Sequence, residues 1–412
     1  MTGNRPLIAL TWPAGDAGAT DGSTEAAVTT VELIELVDDA LRGGPALALI
    51  PGGPAVRHRS LLDALGPQHP LESPDIAFVV PTSGTSGAPN GVLLTAAAVT
   101  HSARATHEAL GGPGHWLLTL PPTQVAGLLV LARAALAGMD PVIMDLDAGF
   151  GADGFAAAAA GLASAARRYT ALVPTQLDRL LAGETGRAAL SRFDAILLGG
   201  APAPARLLSG AAELGVRVVG TYGMTETAGG CVYDGRPLPG VRVEVDPGQQ
   251  IRISGPNLAS GYRLRPDLTA QRFRDGWFRT ADYGVFTPDG RLEVLGQTDD
   301  AVITGGVMVS AARVAALLVE HPRIASAAVF GVPDPEWGER LVATVVPRDP
   351  AYPPGLDEVR RWVRDRAEAA MAPKELVVAV ALPTLESGKV DIRAVRTAYQ
   401  APARAAEQRG DS

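Results

Sequence analysis

Short apolar runs alternate with longer helix-spaced segments through the first half of this chain, and that rhythm limits the folds open to it. Ala46 to Ile50, Ile76 to Pro81, Trp116 to Leu120, Pro141 to Met144, Ala171 to Pro174 and Ala195 to Leu198 read as strands. Between them Val31 to Leu41, Ala96 to Leu110, Val125 to Gly138, Phe155 to Arg168 and Gln176 to Leu181 read as helices. Strands this short, separated by helices, predict a sheet with helices on its faces. Phe155 to Arg168 is alanine-rich, and alanine is the best helix former.

After Gly223 the texture changes. Val241 to Val245, Gln250 to Ser254 and Arg291 to Leu295 are short alternating strands between turns, as in a small antiparallel sheet or barrel. Beyond Leu295 a second α/β unit follows. Its expected strands are Ala301 to Ile303, Ile324 to Phe330, Leu341 to Val346 and Leu376 to Val380, and its helices Ala311 to His321 and Leu356 to Ala370. A length of 412 residues exceeds one ordinary core. The division expected is a large domain over 1–295, a small one over 296–400 and a flexible tail over 401–412.

A net charge of −8 gives no electrostatic reason to expect nucleic acid. One cysteine, Cys231, excludes an intrachain disulfide framework and fits a reducing compartment. The N-terminus lacks a basic region followed by an apolar run, so no signal peptide is expected. Val125 to Gly138 is short for a membrane span and contains Arg133, which reads as a buried helix. The expected location is the cytoplasm.

Two segments carry the chemistry. In Pro81-Thr82-Ser83-Gly84-Thr85-Ser86-Gly87-Ala88-Pro89-Asn90-Gly91, glycines free the backbone amides and hydroxyls add donors, which suits the oxygens of a polyphosphate. It is not a Walker A loop, and alone it could be an ordinary Gly/Ser/Thr turn. Thr221-Tyr222-Gly223-Met224-Thr225-Glu226-Thr227 sets an aromatic ring, hydroxyls and a carboxylate together. Taken singly, Tyr222 could be a core aromatic, Asp282 a solvated surface carboxylate and Lys389 a solvated lysine.

The first segment resembles the phosphate signature of the adenylate-forming superfamily, which holds acyl-CoA synthetases, luciferases and nonribosomal-peptide adenylation domains. The resemblance continues through Gly199-Gly200-Ala201, Tyr222 to Glu226, Gly261-Tyr262 and Gly276-Trp277-Phe278-Arg279-Thr280-Ala281-Asp282. It extends to Gly296-Gln297-Thr298-Asp299-Asp300, Gly305-Gly306 and Ser387-Gly388-Lys389, all in the family's order. Within the superfamily the chain looks most like the short o-succinylbenzoate–CoA ligases of menaquinone biosynthesis. That likeness rests on the abbreviated region before the phosphate loop, on Tyr169 to Leu177 and on Thr221 to Gly240.

The resemblance implies the adenylate-forming α/β fold: a large N-terminal domain of α/β layers with a small β subdomain, then a small mobile C-terminal α+β domain. It also implies roles. Thr82, Ser83, Gly84, Thr85, Ser86 and Gly87 would hold the ATP phosphates; Gly199, Gly200, Ala201, Tyr222 and Gly223 would line the adenine pocket. Thr225 would stand beside Glu226, the Mg²⁺ ligand, and Asp282 would take the ribose hydroxyls. Lys389, swung in on the small domain, would stabilise charge as the carboxylate attacks the α-phosphorus. Coenzyme A would then displace AMP, after rotation about a hinge near Gly296 to Thr298. The expected partners are therefore a small carboxylic acid, ATP with Mg²⁺, and coenzyme A. No nucleic acid or membrane span is expected, and a homodimer is among the expected assemblies.

Three positions depart from the pattern. Asn90 stands where the family usually has lysine, Gln297 replaces the usual arginine, and Gln124 sits at the place of a frequent histidine. Arg133, His101 and Arg104 are candidate partners for an acidic substrate. The competing functions are a ligase for another aryl or acyl acid, an acyl transfer to a carrier protein, and a catalytically degenerate adenylate-binding protein.

Overall fold

The computed structural model describes residues 5–12, 26–27, 30–52, 55–83, 89–146, 149–164, 166–297, 301–384 and 390–410. Two mixed sheets build most of the large unit. In the first, the strands lie in the order Gly261–Tyr262, Pro89–Thr95, Ile76–Ser83, Ala46–Pro51, Leu7–Trp12 and Ala26–Ala27. In the second the order is Arg236–Pro237, Gly229–Tyr233, Val218–Met224, Ala195–Leu198, Arg168–Leu172, His115–Leu118 and Val142–Ile143. Each has a parallel centre and turns antiparallel at one edge, where hairpins replace helical crossovers.

Helices Thr30–Leu41, Ala96–Leu110 and Val125–Ala137 pack against one another and contribute to a core shared by both sheets. Apart from Arg133, Val125–Ala137 is apolar on every side, and it is correspondingly buried from Gly127 to Ala134. The outer face of the second sheet is covered by Ala152–Ala160, Pro174–Leu181, Glu184–Leu190 and Ala205–Glu213 through Phe155, Leu177, Leu190 and Leu207. A third, antiparallel sheet holds Arg242–Val245, Gln250–Ser254, Trp277–Phe286 and Phe273–Arg274, with Leu292–Gln297 paired to Trp277–Phe286. The fourth sheet (Val307–Ser310, Ala301–Thr304, Gly338–Pro347, Ile324–Asp334, Glu375–Val378) is built wholly from residues after Gln297. It carries helices Ala311–Val319 and Leu356–Arg364 over its own core. The whole is the α/β adenylate-forming arrangement: a large N-terminal part of mixed sheets and a small C-terminal α+β part.

Several expected boundaries move. The alanine-rich helix ends at Ala160, and Arg168 opens a strand instead of closing a helix. Gly161 removes the helical preference there, and Tyr169 and Thr170 suit a pleated position between two neighbouring strands. The helix from Leu356 stops at Arg364, after Val359 and Val363 have met the core, and Ala369–Met371 forms a separate 3₁₀ turn. Backbone read as a tail from residue 401 belongs instead to the helix Ile392–Gly410, where alanine, glutamate and glutamine supply helix formers.

Candidate active site

The Tyr222 segment is built as a strand that ends in a turn. Val218–Met224 runs beside Ala195–Leu198, in parallel register through Gly220 and Leu198. It then enters the 3₁₀ turn Thr225–Thr227 and returns antiparallel as Gly229–Tyr233. Two glycines make the reversal feasible. A Cβ at Gly223 would run into the Gly229 carbonyl oxygen, and Gly229 has φ +81° with Leu129 against the same face.

Side chains lock the turn. Thr227 Oγ1 accepts from Met224 N at 2.9 Å and donates to the Gly229 carbonyl at 2.7 Å. Asn257 Nδ2 donates to the Thr227 carbonyl at 3.0 Å, and Ser102 Oγ to the Ala228 carbonyl at 2.7 Å. The amide of Ala259 donates to the Glu226 carbonyl at 2.8 Å. The backbone that presents Thr225 and Glu226 is thus tied to two other segments.

Both site carboxylates accept a phenol hydrogen bond. Tyr222 Oη donates to Asp282 Oδ2 at 2.7 Å, across 60 residues of sequence. Tyr262 Oη donates to Glu226 Oε1 at 2.8 Å, across 36 residues. Asp282 is buried on the long strand Trp277–Phe286, and Thr280 Oγ1 accepts from its amide at 3.0 Å. Burial and the neighbouring Asp282 charge push the Tyr222 phenol far up, so it stays a donor. Burial also raises the Glu226 carboxyl above its ordinary range, while the Tyr262 bond opposes that rise.

Tyr222 and Asp282 thus form one phenol–carboxylate pair and Tyr262 and Glu226 a second, and Gly199 to Ala201 follow the carboxyl end of the neighbouring strand. Thr221 Oγ1 donates to the Leu198 carbonyl at 3.2 Å and would be met by any Cβ at Gly199. Pockets at the carboxyl ends of parallel strands are the usual place for nucleotides. Thr82 and Ser83 pair with Asn90 and Pro89 in the hairpin of Ile76–Ser83 and Pro89–Thr95. Gly84, Thr85, Ser86, Gly87 and Lys389 lie outside the described residues, as does Thr298 of the expected hinge; Thr384 and Val390 on either side of Lys389 form an antiparallel bridge. No group of three or more His, Cys, Asp or Glu side chains among the described residues could enclose a metal ion. The residues nevertheless suit Mg²⁺ brought in by a nucleotide, which needs one or two carboxylates besides phosphate oxygens and water. Tyr262 is the only hydrogen-bonding side chain on Glu226 among the described residues.

A different cluster lies along Val125–Ala137. Arg133 is 3% exposed, and its guanidinium carbon sits 5.1 Å from the centroid of the buried Trp116 ring. Its Nε has no hydrogen-bond partner, and no carboxylate among the described residues pairs with it. Burial lowers its pKa, and Tyr233 nearby opposes that shift. Tyr233 Oη shares a 2.9 Å bond with Thr106 Oγ1, and Trp116 Nε1 donates to His107 Nε2 at 3.4 Å. Burial, then the Arg133 charge, bring His107 down to about 4. The other two candidate cations lie elsewhere. Arg104 is exposed, and His101 Nε2 contacts the Pro239 carbonyl at 3.0 Å.

The sequence alone gives no role to Tyr262, although it lies in the Gly261-Tyr262 pair that shares the family likeness. Arg265 also gained none, yet its Nη1 lies 3.5 Å from Asn90 Oδ1. Gln124 precedes the first turn of its helix without capping it through its side chain.

Residues 18–263 match the family model described as AMP-binding enzyme, and residues 313–389 that of the AMP-binding enzyme C-terminal domain. A probable 2-succinylbenzoate–CoA ligase of Mycobacterium tuberculosis (strain ATCC 25618 / H37Rv) is 46% identical over 367 residues, 88% of this chain and 94% of that protein. A feruloyl-CoA synthase from Amycolatopsis sp is 32% identical over 405 residues, 92% of this chain and 80% of that protein. An o-succinylbenzoate coenzyme A synthetase of Bacillus subtilis, solved with ATP and magnesium ion, has a TM-score of 0.74. It is 24% identical and covers 95% of this chain and 88% of its own, a likeness of fold. The amide bond synthetase of Marinactinospora thermotolerans has a TM-score of 0.73 at 25% identity, over 96% of this chain and 90% of its own.

Proposed function

We propose, starting from the fact that this chain belongs to the AMP-binding enzyme family, that its acid substrate is 2-succinylbenzoate. At the coarser level it is an ATP-dependent acyl- or aryl-CoA ligase that works through an acyl-adenylate. The observation that carries the finer reading is Arg133, a buried guanidinium with no carboxylate partner among the described residues. An isolated buried charge is costly unless an anion completes it. 2-Succinylbenzoate has two carboxylates: one to be activated and a second that stays anionic throughout. Arg133, over Trp116 and beside Tyr233, is suited to the second, and the 46% identity to a probable ligase for this acid supports the same choice.

In this reading Tyr222 and Gly199 to Ala201 receive the adenine, Asp282 the ribose hydroxyls, and Thr82 to Gly87 the phosphates. Glu226, with Thr225 beside it, would hold Mg²⁺, which screens phosphate charge against the incoming carboxylate. Lys389 would stabilise the charge that develops at the α-phosphorus. The chain would divide near 296, with a small domain over 296–400 that turns between the two half-reactions. The assignment carries with it a step of menaquinone biosynthesis and a cytoplasmic location.

Pyrophosphate release measured with 2-succinylbenzoate, benzoate, ferulate and a fatty acid tests the reading. With ATP and Mg²⁺, 2-succinylbenzoate should release pyrophosphate, and added coenzyme A should yield AMP and the thioester. Silence with this acid beside turnover of a monocarboxylate would reassign the substrate while leaving the ligase intact.

A further inference from the structure

We infer that Tyr262 is a positioning residue for the metal carboxylate: its phenol fixes Glu226, while its backbone belongs to the sheet edge that carries the phosphate hairpin. This rests on the reading of Glu226 as the Mg²⁺ ligand. Tyr262 lies on the two-residue strand Gly261–Tyr262, which pairs antiparallel with Pro89–Thr95, Tyr262 opposite Val92. That partner is the second strand of the hairpin enclosing residues 84–88. The amide of Arg263 extends the connection by donating to the Gly91 carbonyl at 2.7 Å.

The placement is rigid from several sides. Thr269 Oγ1 accepts from the Tyr262 amide at 2.9 Å, and the ring meets Phe273 edge-on at 5.7 Å. The next residue, Arg263, is wholly buried and donates to the carbonyls of Leu65, Gly66, His69 and Pro70 and to Glu72. With backbone and ring fixed, the 2.8 Å bond to Oε1 fixes the rotation of the Glu226 carboxylate. A carboxylate accepts through both oxygens, so a bond on Oε1 leaves Oε2 able to take a further ligand. One tyrosine thereby sets the spacing between the carboxylate and the phosphate-bearing hairpin. Glu226 would hold Mg²⁺ productively only if that spacing were kept, because the ion tolerates little departure from octahedral geometry at short bond lengths.

The test is calorimetric titration of ATP without any acid, so that no turnover contributes, once with Mg²⁺ and once with EDTA. The ratio of the two dissociation constants is the advantage the metal confers. Tyr262→Phe keeps the ring and loses the phenol, and it should cut that ratio about tenfold, the size of a hydrogen bond to a charged group. Metal-free ATP binding should stay within about twofold. Phe273→Leu, which loosens the ring but keeps the phenol, should lower the ratio by less than Tyr262→Phe does.

Glu226→Gln separates the inference from its premise. It should abolish most of the metal advantage, and Tyr262→Phe added to it should change nothing further. If Glu226→Gln leaves the ratio intact, the metal reading of Glu226 falls. If Glu226→Gln lowers the ratio while Tyr262→Phe does not, the positioning role alone is overturned. Equal weakening of ATP with and without metal in a folded Tyr262→Phe variant also overturns it, since Tyr262 would then act through the hairpin.

Discussion

The carboxylate pairs around Tyr222 and Tyr262 and the cluster along Val125–Ala137 treat buried charge in opposite ways. In the first region each carboxylate has a phenol: Tyr222 on Asp282 and Tyr262 on Glu226, both under 3 Å. In the cluster the guanidinium of Arg133 has an aromatic face and an orphaned Nε, with no carboxylate partner among the described residues. Satisfied polar groups rigidify, whereas a buried charge left without its counter-ion waits on a ligand or costs stability. In the proposed reading, the contrast would separate the machinery used for any acid from the group that would choose one acid.

The largest effect that would sharpen this division is expected at Lys389, on the shared side. Lys389→Ala should slow adenylate formation at least about 100-fold, since a charge matched to the transition state is worth about 3 kcal/mol. Thioester formation from a supplied acyl-adenylate should suffer far less, because the small domain would by then have turned the lysine away. Assaying the half-reactions separately decides the matter. An equal loss in both would tie the lysine to a step they share and defeat the two-orientation reading.

Next in size is Arg133. Arg133→Met should raise the KM for 2-succinylbenzoate about 10- to 100-fold, the range of a charge-assisted contact, and leave that for benzoate nearly unchanged. It should also stabilise the free protein by about 1 kcal/mol or more, as replacing buried charge by a packed apolar chain often does. Denaturant unfolding reads the second effect. Loss of stability in this variant would mean that Arg133 is already compensated, and the two regions would no longer differ in kind.

A smaller loss is expected at Tyr222. Tyr222→Phe keeps the ring and removes the donor to Asp282, so the KM for ATP should rise about tenfold with kcat little changed. A fall in kcat with unchanged KM would place Asp282 in the chemical step instead of in nucleotide binding.

Much of this was legible in the sequence where the signal is local. Val125–Ala137 reads as buried because, Arg133 apart, it is apolar all round, and Thr221 to Thr227 shows its ring, hydroxyls and carboxylate but not the 3₁₀ turn that presents them. What could not be read are partnerships formed by pairing distant strands. Tyr262 meets Glu226 because Gly261–Tyr262 adds to the edge of the first sheet, beside residues about 170 positions earlier. The long strand Trp277–Phe286 was hidden by Gly284 and Asp282, which weaken its alternation, and by a register shift at Tyr283. The surroundings of Arg133 are hidden for a related reason: a lone arginine in an apolar helix gives its identity but not the Trp116 ring that shelters it.

The smallest effect concerns His107, which the Arg133 cluster keeps neutral. Its Nε2 accepts from Trp116, so it must be unprotonated there, and a pKa of about 4 follows from burial first and the Arg133 charge second. The ordinary value is 6.5, so the unfolded chain takes up this proton before the folded one does. Where the unfolded state binds more protons, stability rises with pH. The contribution is thus fully present above pH 6.5 and lost as pH falls toward 4, about 3 kcal/mol for the whole shift. In Arg133→Met only the charge is removed and burial persists, so the pKa should rise by less than about one unit, or 1.4 kcal/mol. The imidazole shift followed by NMR, and the slope of unfolding free energy between pH 6.5 and 4, both report it. A His107 pKa that does not move in this variant would mean that Arg133 carries little charge at that position, and the unmet cation would lose its standing as the acid-selecting group.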